Sequence, residues 1–180
     1  MTDDFRTVYR SDEGEAVRLE AAVLTTATGE GYLHHRLVFG GGETGAVIIA
    51  RRGDDLLLVH SDRPAAARGL WELPRGAGNP DDADACATAA RELAEETGMR
   101  ATATAELGRY LTDSTIYPQP VVVVLCDVDE EAQRSARDGE IDDERWVPAS
   151  ELDGLIRDGV IEDAHSLSAL AIWRARRENA

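Results

Sequence analysis

The chain has 180 residues, 35 acidic and 19 basic, for a formal net charge of −16, and 43% of its residues are hydrophobic. That is enough for one domain with a full core and short for two. So acidic a surface, with no basic stripe, argues against binding DNA or RNA, and no apolar run approaches the ~20 residues that a bilayer span requires.

The opening stretch MTDDFRTVYR is acidic and polar, with no apolar signal segment after it. Residues 1–15 read as weakly structured, with Phe5, Val8 and Tyr9 as the side chains able to pin them down. AVRLEAAVL (16–24) reads as a strand, and TTATGEGYLHHRLVF (25–39) as a turn and a second strand. After the flexible GGGE (40–43), GAVIIARR (45–52) is a continuous apolar run rich in β-branched residues, hence a strand buried on both faces. GDD (53–55) signals a hairpin, and LLLVHS (56–61) is its returning strand. Residues 62–84 hold Pro64, Pro74, Pro80 and several glycines and read as one long loop, a feature that usually serves function.

The clearest helix covers 84–97. Asp82 or Asp84 can cap its start, Gly98 can end it, and Cys86, Ala89, Ala90, Leu93 and Thr97 form its buried face. TATAELGRYLT (102–112) and PVVVVLCDV (120–128) follow as strands, and 130–144 as a charged loop or short helix. A short strand and helix cover 145–159, and a terminal helix covers 161–177. Strands and helices mix without strict alternation, which favours an α+β fold with a mixed sheet between helices. Cys86 and Cys126 sit in apolar patterns without metal-ligand spacing and read as buried free thiols in a reducing cytoplasm.

The stretch RELAEETGM (91–99) carries the chemistry. On a helix Glu92, Glu95 and Glu96 share a face, away from Leu93 and Ala89. One reading is a solvated acidic face, with Arg91 pairing with Glu95. The other is a cation site. Hard divalent ions prefer oxygen ligands, and carboxylates clustered on a partly buried helix gain most from binding one.

Residues 76–99 read G-x5-D-x8-R-E-L-x-E-E-x-G-M. This resembles the Nudix hydrolase signature G-x5-E-x7-R-E-U-x-E-E-x-G-U, where U is aliphatic. The half from Arg91 to Met99 matches at every defined position. The first half departs twice: Asp82 replaces Glu, and one extra residue precedes Arg91, so that counting back seven lands on Ala83, between Asp82 and Asp84. The likeness extends to LWELPRG (70–76) and LLLVHSDR (56–63), which look like the stretches leading into the box in ADP-ribose pyrophosphatases. Residues 151–170 resemble the C-terminal helical end of that subgroup, and the strands within 16–38 its additional N-terminal sheet.

The resemblance implies a Nudix fold over 43–180, with 1–42 as an antiparallel strand extension that joins two copies as a homodimer. It implies Mg²⁺, or Mn²⁺, held by Glu92, Glu95 and Glu96 and by a backbone carbonyl near Gly76 or Ala77. It makes Arg91 the residue that holds the carboxylates in place. A general base from the loop after the box is expected, with Glu140 first and Glu95 second. Arg63, at the end of its strand, is expected to contact substrate phosphate, with pairing to Asp62 as the other reading. Arg75 either touches substrate or neutralises local acid.

His34, His35, His60 and His165 lack partners at ligand spacing and read as structural, and Trp71 as packing under the loop. Tyr110 and Tyr117 lie where a nucleobase could bind. The reaction implied is hydrolysis of a nucleoside diphosphate linked to another moiety, with ADP-ribose or an ADP-sugar first. A nucleoside triphosphate or dinucleoside polyphosphate hydrolase is the alternative. The subgroup's Ser-Pro-Gly-like motif is absent from RYLTDSTIYPQP (109–120), so the likeness carries the reaction type further than the substrate. A nucleotide sensor that does not cleave is a rival, but sensors usually lose a glutamate from this core.

Overall fold

The computed structural model describes residues 4–11, 13, 16–41, 43–129 and 139–177. The chain divides into two compact units: Met1–Glu43 with Leu111–Pro120, and Thr44–Tyr110 with Val121–Ala180.

The first unit contains an antiparallel three-stranded sheet of β1 (Arg6–Ser11), β2 (Val17–Thr25) and β3 (Gly31–Phe39), in that order. A strand at β1 departs from the weak structure expected there. Its start is pinned through Phe5, whose ring meets His34 edge-on and lies under the Arg36 guanidinium at 3.9 Å. Glu20, on β2, accepts hydrogen bonds from Arg18 and Arg36. Gln119 joins 111–120 to the end of β3, accepting from the Phe39 N–H and donating to the Phe39 carbonyl. Val23 and Leu33, directly opposite in the β2–β3 register, are 74% and 57% exposed.

The second unit is built on β4 (Gly45–Arg52), whose residues Ala46 to Ala50 are fully buried, as the unbroken apolar run predicts. β4 runs parallel to β9 (Tyr117–Val128) and antiparallel to β5 (Asp55–Arg63). β10 (Asp143–Pro148) lines the far side of β5, and β8 (Ala101–Asp113) follows β9, giving the order β10-β5-β4-β9-β8. The mixed sheet has a helix layer on each face. Ala46, Ile48 and Ala50 pack with Leu57, Val59, Ala89 and Leu93 under α1 (Ala85–Thr97). Val47 and Ile49 pack with Leu56, Leu58, Leu152, Leu170 and Trp173 under α2 (Leu152–Arg157) and α3 (Ala164–Arg177). Each fully buried aliphatic side chain contributes about 1.5–3 kcal/mol, so this double-sided core holds the scaffold on which the polar residues are arranged.

The long loop is shorter than expected. β6 (Arg68–Glu72) pairs with β5, with Glu72 opposite Val59, and the two-residue β7 (Arg75–Gly76) pairs with β4. Pro64 and Pro74 hide these strands in the sequence, because a proline interrupts a ladder without preventing short strands on either side. The last strand starts at Asp143, two residues earlier than expected, and most of the charged stretch that precedes it lies outside the described residues. Among the described residues no helix is long and apolar enough to cross a membrane.

Candidate functional site

α1 begins where Asp84 adopts an extended conformation and its carboxylate accepts the Ala87 N–H at 2.9 Å. It ends at Gly98, whose φ of 72° lets its N–H reach the Ala94 carbonyl. Ala89 and Leu93 are fully buried against the sheet. That seating decides which way the rest of the helix faces and presents Glu92, Glu95 and Glu96 beside β7.

Gly76 is where the helix meets the strand. A Cβ built there would lie 1.9 Å from the Glu92 carboxyl carbon, so the carboxylate occupies space that only glycine leaves. A Cβ at Gly45, across the β4–β7 pair, would lie 2.9 Å from the Gly76 carbonyl oxygen. Two glycines therefore permit the close stacking of β4, β7 and α1.

Arg91 ties the site together. Its Nη1 donates to Glu92 Oε1 and Glu95 Oε2, both at 2.8 Å. Its Nη2 donates to the Ala77 carbonyl at 2.9 Å and to Asp82 Oδ2 at 3.0 Å, and its Nε donates to Asp82 Oδ1 at 3.2 Å. The planar guanidinium suits this fork. Asp82 also accepts the Asn79 N–H and the Thr88 hydroxyl. Its hydrogen bonds from Arg91 are the main reason its pKa falls to about 2. The two acidic residues near the start of the box thus divide the work: Asp84 caps the helix, and Asp82 holds Arg91.

The cluster has an excess of negative charge. Three carboxylates, Asp82, Glu92 and Glu95, bond one guanidinium, a formal balance of −2. Burial raises the Glu92 pKa, Arg91 opposes the rise, and the charges of Glu95 and Glu140 add to it. Glu140, itself exposed, is therefore placed where its charge is felt at Glu92. Glu96 is 6% exposed, whereas the Glu95 side chain is half exposed. The oxygen donors suit a hard divalent cation, and the Gly76 cradle keeps room for Glu92 among them. In the arrangement seen, Glu92 and Glu95 turn to Arg91, and among the described residues no three His, Cys, Asp or Glu side chains converge as a ligand set.

Arg63 and Arg75 meet each other at a different carboxylate, that of Glu72. Arg63 donates from Nε at 2.8 Å and from Nη2 to Glu72 Oε1, and Arg75 Nη2 donates to Oε2 at 3.3 Å. Nothing in the sequence singles out Glu72: it stands in a short apolar-flanked run, and its partner Arg63 lies nine residues earlier. On α3, His165 Nδ1 lies 2.7 Å from the Tyr110 hydroxyl. Burial, reinforced by the charge of Arg75, lowers the His165 pKa to about 4, so the ring is neutral. Asp163 accepts the His165 and Ser166 N–H groups at the start of α3, and the Ser166 hydroxyl accepts the Leu73 N–H.

The other singled-out residues lie apart from the carboxylates. His34 packs edge-on to Phe5 and Tyr32, and Tyr117 meets Phe39 edge-on. His60 lies against the Trp71 ring, above Gly69, and Arg145 stacks on Trp71 at 4.2 Å. Cys126 is buried in the core under α1, where burial pushes its thiol up to about 12.

Comparison with known proteins adds two findings. A family model described as NUDIX domain matches residues 42–170. A solved structure, "Crystal structure of ADP compounds hydrolase", superposes with a TM-score of 0.81 at 19% sequence identity, covering 98% of this chain and 92% of that one.

Proposed function

The chain belongs to the Nudix family of hydrolases, and from that premise we propose that it is a divalent-metal-dependent pyrophosphohydrolase. Its substrate is a nucleoside diphosphate linked to a second moiety, with ADP-ribose or an ADP-sugar first, cleaved to AMP and a sugar phosphate. The observation that carries this reading is the Gly76–Arg91 arrangement. It gathers three carboxylates, Asp82, Glu92 and Glu95, around a single guanidinium, with the charge of Glu140 felt at Glu92 as well, an excess that would repel a diphosphate unless cations bridged the two. The likeness of fold to a hydrolase of ADP compounds supports the choice of substrate class.

Glu92, Glu95 and Glu96 would hold Mg²⁺ or Mn²⁺, with a backbone carbonyl near Gly76 or Ala77. When bound, the cation supplies charge neutralisation for the diphosphate and Lewis-acid polarisation of its phosphoryl oxygens. Arg91 keeps the carboxylates in register with the loop through Ala77 and Asp82. Glu140, exposed and with its charge felt at Glu92, accepts a proton from the attacking water, and Glu95 is the second choice for that role. Arg63 and Arg75 contact the phosphates. The first unit, 1–42 in its N-terminal part, joins two copies through the exposed Val23–Leu33 side of its sheet, making a homodimer.

The test is product release from ADP-ribose, ADP-glucose, NADH, diadenosine polyphosphates and nucleoside triphosphates, with Mg²⁺ and then Mn²⁺. Each is run with the intact protein and with Glu96→Gln. The expected result is AMP from ADP-ribose or ADP-glucose, reduced about 100-fold or more by the substitution. Turnover only of triphosphates or dinucleoside polyphosphates would move the substrate to that class. No turnover of any member, with nucleotide binding retained in calorimetry, would make the chain a sensor.

A further inference from the structure

Glu72 is a carboxylate with 0% exposure, and it takes two guanidiniums at once. Burying a charge is favourable only when it is paired and hydrogen-bonded, and Arg63 alone, bonding through two nitrogens, would satisfy that need. The second arginine leaves the trio with a net positive charge inside a chain of net charge −16. The donors left over are also informative. Among the described residues Arg63 Nη1 and Arg75 Nε have no hydrogen-bond partner, and Arg75 Nε is buried. A buried donor without a partner is destabilising by about 1–3 kcal/mol, so this arrangement is not the best one for stability. The parts of the two guanidiniums that keep their exposure suit an anion that balances the trio's charge.

The position fits that use. The side chains of Arg63 and Arg75 keep 32% and 26% of their exposure, so both can still be reached. Arg75 and Gly76 are the whole of β7. The strand that Glu72 anchors at one residue therefore seats the Glu92 carboxylate at the next.

We propose that Glu72 is a positioning residue: it aims the guanidiniums of Arg63 and Arg75 so that their exposed ends form one fork for the diphosphate of the substrate. The inference rests on the reading of the chain as a diphosphate hydrolase. Glu72 touches no reacting atom. It orients the two arginines, and through them the phosphates, relative to the carboxylates of α1.

Two readouts separate this from a merely structural role. The first is kcat and KM on the substrate found in the panel. The second is calorimetric binding of inorganic pyrophosphate in the presence of Mg²⁺, which needs no turnover. Glu72→Gln is expected to raise KM and weaken pyrophosphate binding by about 10- to 100-fold, the scale of one or two charge-assisted hydrogen bonds, with kcat within about threefold. Arg75→Gln alone is expected to do the same. Added to Glu72→Gln it is expected to have little further effect, because the two residues act as one unit.

A KM and a pyrophosphate affinity within twofold of the intact protein would overturn the proposal. So would a loss confined to kcat, or effects of the two substitutions that multiply fully. If Glu72→Gln does not fold, Glu72→Asp keeps the charge and moves the anchor by one methylene: a raised KM supports the proposal and an unchanged one overturns it. If the intact protein turns over nothing, the hydrolase reading fails by itself. Pyrophosphate binding that weakens in the variant then still supports the fork, and binding that is absent or unaltered overturns it.

Discussion

Gly76 carries as much of the site as any charged residue, because what matters there is the space beside its Cα. A methyl group would sit 1.9 Å from the Glu92 carboxyl carbon, far inside van der Waals contact. Either the carboxylate or β7 must give way. Gly76→Ala is expected to lower kcat/KM by about 100-fold or more, since displacing a reacting group by about 1 Å already has that effect, while the double-sided core keeps the protein folded. Steady-state kinetics beside a thermal melt checks this: full activity with an unchanged melt would show that Glu92 can sit elsewhere. At this scale the sequence is legible where residue type and spacing suffice. Arg91, Glu92, Glu95 and Glu96 are readable because helical periodicity places them together. Glu72 is not, because the burial of a single carboxylate depends on a strand pairing that no local pattern announces.

At the scale of elements, the strands with long apolar or alternating runs and the capped helix are readable from periodicity, and they lie within two residues of their expected bounds, apart from β9, which starts three residues early at Tyr117. β1, β6 and β7 are not, since short strands owe their existence to the partner beside them. α3 illustrates a consequence for pH. Its His165 is held neutral by burial and faces Tyr110 and Asp163, with the charges of Arg75 and Arg63 opposing protonation and that of Asp163 favouring it. The folded pKa of about 4 lies below the ordinary value of 6.5. The unfolded chain therefore binds the proton first, and the stability linked to a neutral His165 is present above about pH 6.5 and lost as the pH falls toward 4. His165→Gln removes this linkage. Its deficit in melting temperature relative to the intact protein is expected to shrink between pH 7 and pH 4.5. A deficit that stays constant over that range would show that His165 does not titrate differently on folding.

For the whole molecule, the first unit presents apolar side chains to solvent that a single copy leaves uncovered. Val23, Leu33, Tyr9 and Val8 are all about half exposed or more. The proposed homodimer would cover these side chains. The intact protein is expected to sediment as a dimer and the double variant Val23→Lys/Leu33→Lys as a monomer. A variant that remains dimeric would place the interface elsewhere, and an intact protein that is monomeric at micromolar concentration would remove the dimer altogether.

The parallel pairing of β4 with β9 has a further consequence, for the order in which the chain acquires structure. Arg51 and Asp127, which pair across these two strands, are 76 positions apart. The centre of the core cannot close until β9 has left the ribosome, and a large loop must be closed before those contacts are gained. The β2–β3 pair, by contrast, is joined by a turn of a few residues and can form at once. During synthesis, then, the apolar run of β4 waits without its central partner, and this interval is when the nascent chain is most exposed to aggregation.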